Sequence, residues 1–334
     1  AKNILTVGAV YDAVISGTRN LSAADMTSFS CWGPTDDGRI KPDIVANGYS
    51  LYSCYSSYDS SYANMTGTSS ACPAATGSAA LLLDIYGELF SGQYMKSSTL
   101  KGLIINTADD LGNAGPDYKY GWGLMNTEAA AAVIFSQYAS QALLQIGEET
   151  LSESNPADTY QLTADGNSPL KITVCWTDPA GPEISGLDNP DSALINDLDI
   201  TLTAPDGTTV YYPYTLDPFT PDAPASTGIN SRDNVEQINL HSPMANGTYT
   251  LEVTHKDSLY NNSQDYSLAI TGLKTHLASN INGLDTVNFH DYSLLISHWL
   301  DSCTSGDNCS GTDLNLSGQI DLMDLRILAE NWLK

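Results

Sequence analysis

The pattern of apolar and polar positions changes twice along the chain. Up to about residue 136, short apolar runs such as NILTVGAV and PDIVA alternate with longer stretches of helical periodicity such as ACPAATGSAALLLDIYGELF. Strands that alternate with helices indicate a parallel sheet covered by helices. The first part of the chain, residues 1–136, is therefore predicted to be an α/β domain.

Between residues 141 and 274 the apolar runs become short and alternate with polar positions. LKITVCW, LDITLTA, GTYTLEVTH and DYSLAITGL are separated by turn sequences such as APDGT and MANGT. A period of two is that of a strand with one buried face, and many short strands with regular turns indicate a sandwich. Residues 141–274 are predicted to form an all-β, jelly-roll-like sandwich.

The last segment, residues 278–334, contains an internal repeat. NINGLDTVNFHDYSLLISHWL, from Asn280, aligns without a gap with DLNLSGQIDLMDLRILAENWL, from Asp313. Each copy is a polar loop followed by apolar residues at helical spacing, and two such copies form one paired module. The tail is therefore predicted to be a small α-helical unit.

Charge and hydropathy exclude two classes of partner. The 334 residues include 39 acidic and 13 basic side chains, a net charge of -26, which repels the phosphates of nucleic acids. No apolar run reaches the roughly 20 residues of a membrane span. Divalent cations suit such a chain, although acidity can equally serve solubility.

The cysteines do not form a zinc-binding pattern. None of the six is part of a C-x-x-C pair. Cys303 and Cys309 lie close together in a loop rich in Ser, Gly and Asp, and could form a disulfide in an oxidising compartment.

Ser69 stands where a turn runs into an apolar helical stretch. A hydroxyl at a helix N-terminus lies beside free N–H groups that favour a developing negative charge, as a nucleophile requires. The same groups make serine a good helix cap. The local pattern alone leaves both interpretations open.

The wider sequence bears on this choice. Gly67–Pro73 reads G-T-S-x-A-x-P; NILTVGAV and SFSCWGPTDDGRIKPDIVANG precede it, and LKGLIINTADD and GPDYKYGWGLMN follow it. In this order the motifs resemble the C-terminal half of the catalytic domain of a subtilisin-like serine protease. The resemblance implies an endopeptidase acting on protein or peptide substrates by a Ser-His-Asp mechanism, with Ser69 as nucleophile. It also implies that residues 141–274 are the β-sandwich found after this domain in one branch of the family.

The partners of Ser69 are absent from the expected motifs. The five histidines lie at positions 241, 255, 276, 290 and 298, whereas in the resembled family the Asp and His precede the serine. We therefore expect the N-terminal half of the catalytic domain to lie before residue 1, and the chain alone to be inactive. The resemblance implies a secreted or cell-surface bacterial protein. The alternative is a non-catalytic binding or assembly protein with the protease remnant as scaffold.

Six residues of the predicted sandwich supply hard oxygen ligands, which suit Ca²⁺. Related sandwich domains bind calcium, and the candidates are Asp178, Asn196, Asp197, Asp199, Asn234 and Glu236. The alternative is that these side chains cap turns between strands.

The tail carries a second set of calcium candidates. In the second repeat, positions 1, 3, 5, 9 and 12 of an EF-hand-like loop are occupied by Asp313, Asn315, Ser317, Asp321 and Asp324, with Gly318 at the turn. In the first repeat Asn280, Asn282, Asn288 and Asp291 fit, but Leu284 and Asp285 do not, which weakens binding there. The duplicated unit resembles a dockerin module, which implies folding by calcium and docking to a cohesin-type partner. The alternative is a helical hairpin held by its tryptophans and leucines.

Overall fold

The computed structural model describes residues 2–139, 143–182, 186, 189–274, 281, 287–303, 309, 312–314, 317–330 and 332. The chain divides into two compact units, the first made of Ala1–Tyr138 with Leu144–Leu273 and the second of Ala139–Leu143 with Lys274–Lys334. The first unit contains both the predicted α/β domain and the predicted sandwich. Each unit is described by itself below.

The first part of the large unit mixes short strands with long helices. Its elements are β1 (Val7–Val10), β2 (Val14–Ile15), β3 (Thr18–Arg19), a 3-10 helix (Leu21–Ala23), β4 (Ile44–Asn47), β5 (Leu51–Cys54), β6 (Tyr62–Met65), α1 (Thr68–Leu89), α2 (Ser97–Thr107) and α3 (Thr127–Ala139). Strands β1 and β4 pair in parallel, and β5 and β6 form an antiparallel hairpin. The predicted α/β class is confirmed at the level of a mixed α/β fold.

Helix α1 packs on the β1–β4 pair through small side chains. Ala71, Ala75 and Leu82 are its buried residues, and they lie on one face because 3.6 residues make a turn. Alanines allow the helix to approach the sheet closely. Pro73 lies inside the helix without ending it, although its nitrogen cannot donate a hydrogen bond to the Ser69 carbonyl one turn earlier.

The described residues in the remainder of the large unit form ten strands. They are β7 (Ile146–Ser152), β8 (Ala157–Thr163), β9 (Leu170–Trp176), β10 (Asp197–Thr203), β11 (Val210–Tyr211), β12 (Tyr214–Thr215), β13 (Ser226–Thr227), β14 (Val235–Leu240), β15 (Thr248–Lys256) and β16 (Ser263–Thr271), with a 3-10 helix at Tyr260–Asn262. Eight form two four-stranded antiparallel sheets, ordered β11-β10-β15-β8 and β14-β9-β16-β7. The jelly-roll order stays a prediction.

Helix α2 joins the two parts of this unit. It lies against β9 and β16, so nearly all its side chains are buried and β9 is buried on both faces. Asn106 Nδ2 donates to the Ala269 carbonyl at 2.9 Å, and the Ser98 hydroxyl is 2.8 Å from that of Ser267. Glu148, from β7, accepts from the Lys96 N–H at 2.7 Å and so places a carboxylate at the helix N-terminus.

Two short helices lie in the described residues of the tail unit, α4 (Phe289–Ser297) and α5 (Leu322–Glu330). Its core is formed by the buried residues Val287, Leu295, Cys309, Ile320 and Leu328. The disulfide that the sequence allowed between Cys303 and Cys309 is present. Across the described residues, none of the helices combines the length and apolar character needed to cross a bilayer.

Candidate active site

Ser69 is the second residue of α1 and is exposed. The residue that caps this helix is Gly67, which has a φ of +153° and provides no side-chain cap. A Cβ added at Gly67 would lie 3.0 Å from Ser69 Oγ, so both the backbone angle and the space favour glycine. Ser69 thus lies inside the helix, and the cap interpretation does not describe it.

The backbone N–H groups of the first turn of α1 differ in whether they have an acceptor. The N–H groups of Ser70 and Ala71 both donate to the Gly67 carbonyl, at 2.9 and 3.3 Å. Within the described chain, no acceptor faces the N–H groups of Thr68 and Ser69. Free N–H groups at a helix N-terminus carry the positive end of the helix dipole. The Ser69 N–H is therefore available to an oxyanion formed beside its own side chain.

The turn before Ser69 is held over the ends of the parallel strands. The Gly67 N–H donates to the Gly48 carbonyl at 2.8 Å, and the Gly48 N–H donates to the Val10 carbonyl at 3.0 Å. A Cβ at Gly48 would lie 2.5 Å from the Ala9 Cβ, so the chains approach too closely for any other residue. Ser69 is consequently placed at the carboxyl edge of β1 and β4, where open α/β sheets bind ligands.

Every described histidine follows the α/β part of the chain in sequence. His241 and His255 lie in the strand-rich part of the large unit, and His290 and His298 lie in the tail; His276 falls outside the described residues. The ring of His298 is 3.1 Å from Asp301, and Nδ1 of His255 is 2.8 Å from the Asp257 carbonyl. Among the described residues, Ser69 thus offers an exposed hydroxyl beside an N–H group without an acceptor.

Comparison with known proteins agrees with this geometry. Residues 1–123 match the family model Peptidase_S8, described as the subtilase family. This segment is homologous to subtilases. A serine protease/ABC transporter B family protein, tagA, of Dictyostelium discoideum is 30% identical over 203 residues, and subtilisin DY of Bacillus licheniformis is 34% identical over 131 residues.

These relatives extend well beyond the matched region. The match with the Dictyostelium protein covers 53% of this chain and 11% of the relative, and that with subtilisin DY covers 39% and 42%. The chain therefore spans less than half the length of either. Fervidolysin of Fervidobacterium pennivorans, described as a keratinolytic enzyme related to subtilisin, is 20% identical over 73% of this chain and 36% of its own, with a TM-score of 0.31.

Outside the subtilase segment, the calcium candidate Asp178 is already bonded to protein groups. It is buried, it forms an ion pair with Lys2, and it accepts from the N–H groups of Ile195 at 2.9 Å and Asn196 at 2.8 Å. Asn3 adds two bonds to the Asp178 backbone, at 2.9 and 3.0 Å. The ammonium group of Lys2 thus supplies the positive charge that a calcium ion would bring.

Asn196 and Asn234 are also held by neighbouring groups. Asn196 donates to Gln264 Oε1 at 2.7 Å and accepts from the Tyr260 N–H at 2.8 Å. Asn234 donates to the Trp176 carbonyl at 2.6 Å. Both amides connect neighbouring loops and strands, and a calcium role for them stays a prediction.

The other three candidates form an acidic cluster where β14 and β10 meet. Glu236 of β14 is 0% exposed and accepts from the Ile200 N–H of β10 at 2.8 Å. Its Oε1 and the Oδ1 of Asp197 are buried, and neither has a hydrogen-bond partner among the described residues. Burial is the main cause that raises the pKa of Asp197, to about 6, and the negative charge of Asp199 is the second cause. The same two causes raise the pKa of Glu236 well above its usual value. The cation paired with this cluster is Lys256, whose half-exposed ammonium group lies 3.9 Å from Asp197.

The second tail loop brings its acidic candidates to backbone donors. Asp313, almost fully buried, accepts from the N–H groups of Ser317 at 3.0 Å and Gly318 at 2.8 Å. Asp324, fully buried, accepts from the N–H groups of Leu314 at 2.7 Å and Asp321 at 2.8 Å. Gly318 has a φ of +84°, as the predicted turn requires.

The first loop repeats part of this arrangement. Asn288 caps α4, and its N–H donates to Asp291 at 2.9 Å, as the Asp321 N–H does to Asp324. The candidates Asn280, Asn282 and Asn315, like Leu284 and Asp285, lie outside the described residues. Over the part of the chain that is described, no group of three or more His, Cys, Asp or Glu side chains could hold a metal ion.

The large unit also contains a buried ionic cluster that the sequence did not predict. Asp43 forms ion pairs with Lys41 and, at 2.9 Å, with Lys101 of α2. Burial would raise the pKa of Asp43, but Lys101 and Lys41 hold it below its usual value. Burial is the main cause that lowers the pKa of Lys41, to about 8, and the positive charge of Lys101 is the second cause. No local pattern identifies the cluster, since Asp43 and Lys101 are far apart in sequence.

Proposed function

We propose that the chain is the nucleophile-bearing part of a secreted bacterial serine endopeptidase. The observation that carries the proposal is the exposed Ser69 hydroxyl in the first turn of α1, beside its own unbonded N–H, within a segment homologous to subtilases. The substrates are proteins or peptides.

In this proposal a polypeptide outside residues 1–334 supplies the histidine base, its orienting carboxylate and a second oxyanion donor. The Ser69 proton passes to the histidine while Oγ attacks the scissile carbonyl carbon. The resulting oxyanion accepts from the Ser69 N–H, and the histidine returns the proton to the leaving amine. Water then hydrolyses the acyl-enzyme.

Labelling with a fluorophosphonate tests this role. A longer gene product that includes the preceding polypeptide should be labelled at Ser69, and its Ser69→Ala variant should not. Residues 1–334 alone should react far more slowly, because no described histidine is hydrogen-bonded to the Ser69 hydroxyl. A correctly folded longer product that is never labelled at Ser69 would contradict the proposal.

We further propose that the tail binds calcium through Asp313, Asn315, Ser317, Asp321 and Asp324, and docks the enzyme to a cohesin-type partner. Support comes from the two buried carboxylates of the second loop and from Gly318, whose backbone suits the turn. Calcium in this loop would neutralise carboxylates that the fold has removed from water. The weaker first loop would contribute Asn280, Asn282, Asn288 and Asp291.

Thermal unfolding of the tail tests the calcium site. Calcium at about 100 times its Kd should stabilise the tail by about 2.7 kcal/mol. Asp313→Asn should remove most of this gain, whereas Asp301→Asn, at a side chain 57% exposed, should keep it. An equal response of the wild type and both variants would place calcium elsewhere or nowhere.

A further inference from the structure

An exposed group of tyrosines lies on the hairpin that leads into Ser69. Tyr52 is 73% exposed, Tyr58 79% and Tyr62 55%, and Tyr55 is also exposed. Large aromatic side chains usually bury most of their surface, so several exposed together indicate a binding surface. Neither the Ser69 chemistry nor the core of the large unit uses these rings.

Two of the tyrosines form an ordered platform. In the β5–β6 register Tyr52 lies opposite Asn64 and Cys54 opposite Tyr62, so both tyrosines share one face of the hairpin. Their rings are stacked, with centroids 5.5 Å apart and an angle of 23° between the planes. The platform therefore presents a flat apolar surface without reorganising.

The hairpin also has strand edges available for pairing. As far as the chain is described, β5 and β6 form a two-stranded sheet with no third strand. An unpaired edge presents N–H and C=O groups at the spacing of another extended chain. Strand β6 ends at Met65, one short turn before Ser69 in the sequence.

The charge of this region restricts the ligand. Residues 47–70 contain a single charged side chain, Asp59, in a chain whose net charge is -26. A neutral surface with aromatic rings offers no ion pair to a charged segment and would remove its charges from water at a cost. An uncharged segment with large apolar side chains fits best.

We propose that the β5–β6 hairpin binds an extended, uncharged segment of the protein substrate as an added strand. Backbone hydrogen bonds to the edge of β6 would hold the segment, and apolar side chains at alternate positions would pack on Tyr52 and Tyr62. The inference rests on the proposed function, because it treats the occupant of the hairpin as substrate on its way to Ser69. It makes the tyrosine pair a determinant of substrate specificity.

Fluorescence anisotropy with a labelled peptide tests the surface on the full chain carrying Ser69→Ala. The probe is a nonapeptide that alternates Leu and Thr. The double variant Tyr52→Ala, Tyr62→Ala should weaken binding about tenfold, as expected when an aromatic anchor is lost. Tyr94→Ala is the matched control, since Tyr94 is also 73% exposed but lies outside the hairpin, and it should change Kd less than about twofold. Replacing both hairpin tyrosines by Phe should preserve binding.

Two altered probes separate the contributions. A peptide methylated on alternate backbone nitrogens should lose most of its affinity, because it cannot pair with a strand edge. A peptide with Glu in place of Leu should also bind weakly. The proposal is overturned if the double variant and the Tyr94 variant bind alike, or if the methylated peptide binds as well as its parent. Fluorophosphonate labelling tests the proposed function separately. If the chain binds the peptide as expected but the longer product is never labelled, the enzyme proposal is contradicted while the peptide-binding surface is supported.

Discussion

Replacing Asp43 by Asn should strongly destabilise the large unit. Asp43 is 2% exposed, pairs with Lys41 and Lys101, and accepts from the Thr6 N–H at 2.6 Å. Asparagine keeps the shape of the side chain but removes its charge. Two lysines would then remain almost fully buried without the carboxylate that balances them.

The size of the loss follows from the burial of the lysines. Removing one partner of a buried ion pair costs about 3–5 kcal/mol. The cost of burying each unpaired lysine has an upper limit, because the lysine can lose its proton instead. For a group with an ordinary pKa of about 10.4, deprotonation at pH 7 costs about 4.6 kcal/mol. We therefore expect the free energy of unfolding to fall by about 3–5 kcal/mol at pH 7.

The loss should shrink as the pH rises. In the variant both lysines have depressed pKa values in the folded state, so between pH 7 and pH 10 the unfolded chain binds more protons than the folded one. Stability then rises with pH. In the wild type Lys41, with a pKa of about 8, is already largely neutral at pH 9.5. At pH 9.5 the stability lost in the variant therefore comes chiefly from Lys101, and it should fall to about 1–2 kcal/mol.

Urea unfolding at pH 7 and pH 9.5, followed by tryptophan fluorescence, measures both effects. Asp265→Asn is the control, because Asp265 and its partner Lys96 are 57% and 41% exposed and such a pair contributes less than about 1 kcal/mol. If Asp43→Asn destabilised the unit no more than Asp265→Asn did, or if its loss did not change with pH, the reasoning from buried charge would fail.

Two further predictions concern the turn at Ser69 and the tail. Gly48→Ala should destabilise the large unit by about 1–3 kcal/mol and displace the Ser69 turn, because its Cβ would lie 2.5 Å from the Ala9 Cβ; Gly77→Ala in α1, where a Cβ meets nothing within 4 Å, should stabilise it by about 0.5–1 kcal/mol. Chemical denaturation measures both variants, and a Gly48→Ala variant that is no less stable than the Gly77→Ala variant would contradict the packing argument. Replacing both Cys303 and Cys309 by Ser should cost the tail about 2 kcal/mol by loop-closure entropy, and unchanged tail melting would contradict this.

Much of the fold could be predicted because its signals are local. The alternation in LDITLTA appears in β10, whose buried positions alternate as Leu198, Ile200 and Leu202. The turn before Ser69 and the loop at Gly318 follow from glycines with positive φ. Each of these features depends on residues a few positions apart, where periodicity and turn chemistry determine the structure.

Helix α2 shows where local patterns are insufficient. Ser98, Thr99 and Asn106 are polar and a periodicity argument assigns them to solvent, yet all three are buried against β9 or β16. Their hydrogen-bond partners lie far away in sequence, so no window of the chain contains both members of a pair. The sequence of a helix that is covered on several sides therefore predicts a surface helix, because the residues that cover it are distant in the chain.

The calcium candidates show the same limit in the chemistry. A run of Asp and Asn predicts oxygen acceptors, but it does not say whether calcium, an ammonium group or a backbone N–H satisfies them. Asp178 is bonded to Lys2 and two N–H groups, and Asp313 accepts from two N–H groups, so protein donors bond to oxygens that the sequence assigned to calcium. Glu236 and Asp197 differ, since within the described chain each keeps a buried oxygen without a donor. If the strand-rich part of the large unit gains a cation, the electrostatic need for it is greatest beside these two side chains, because there a positive charge would relieve both the repulsion and the missing bonds.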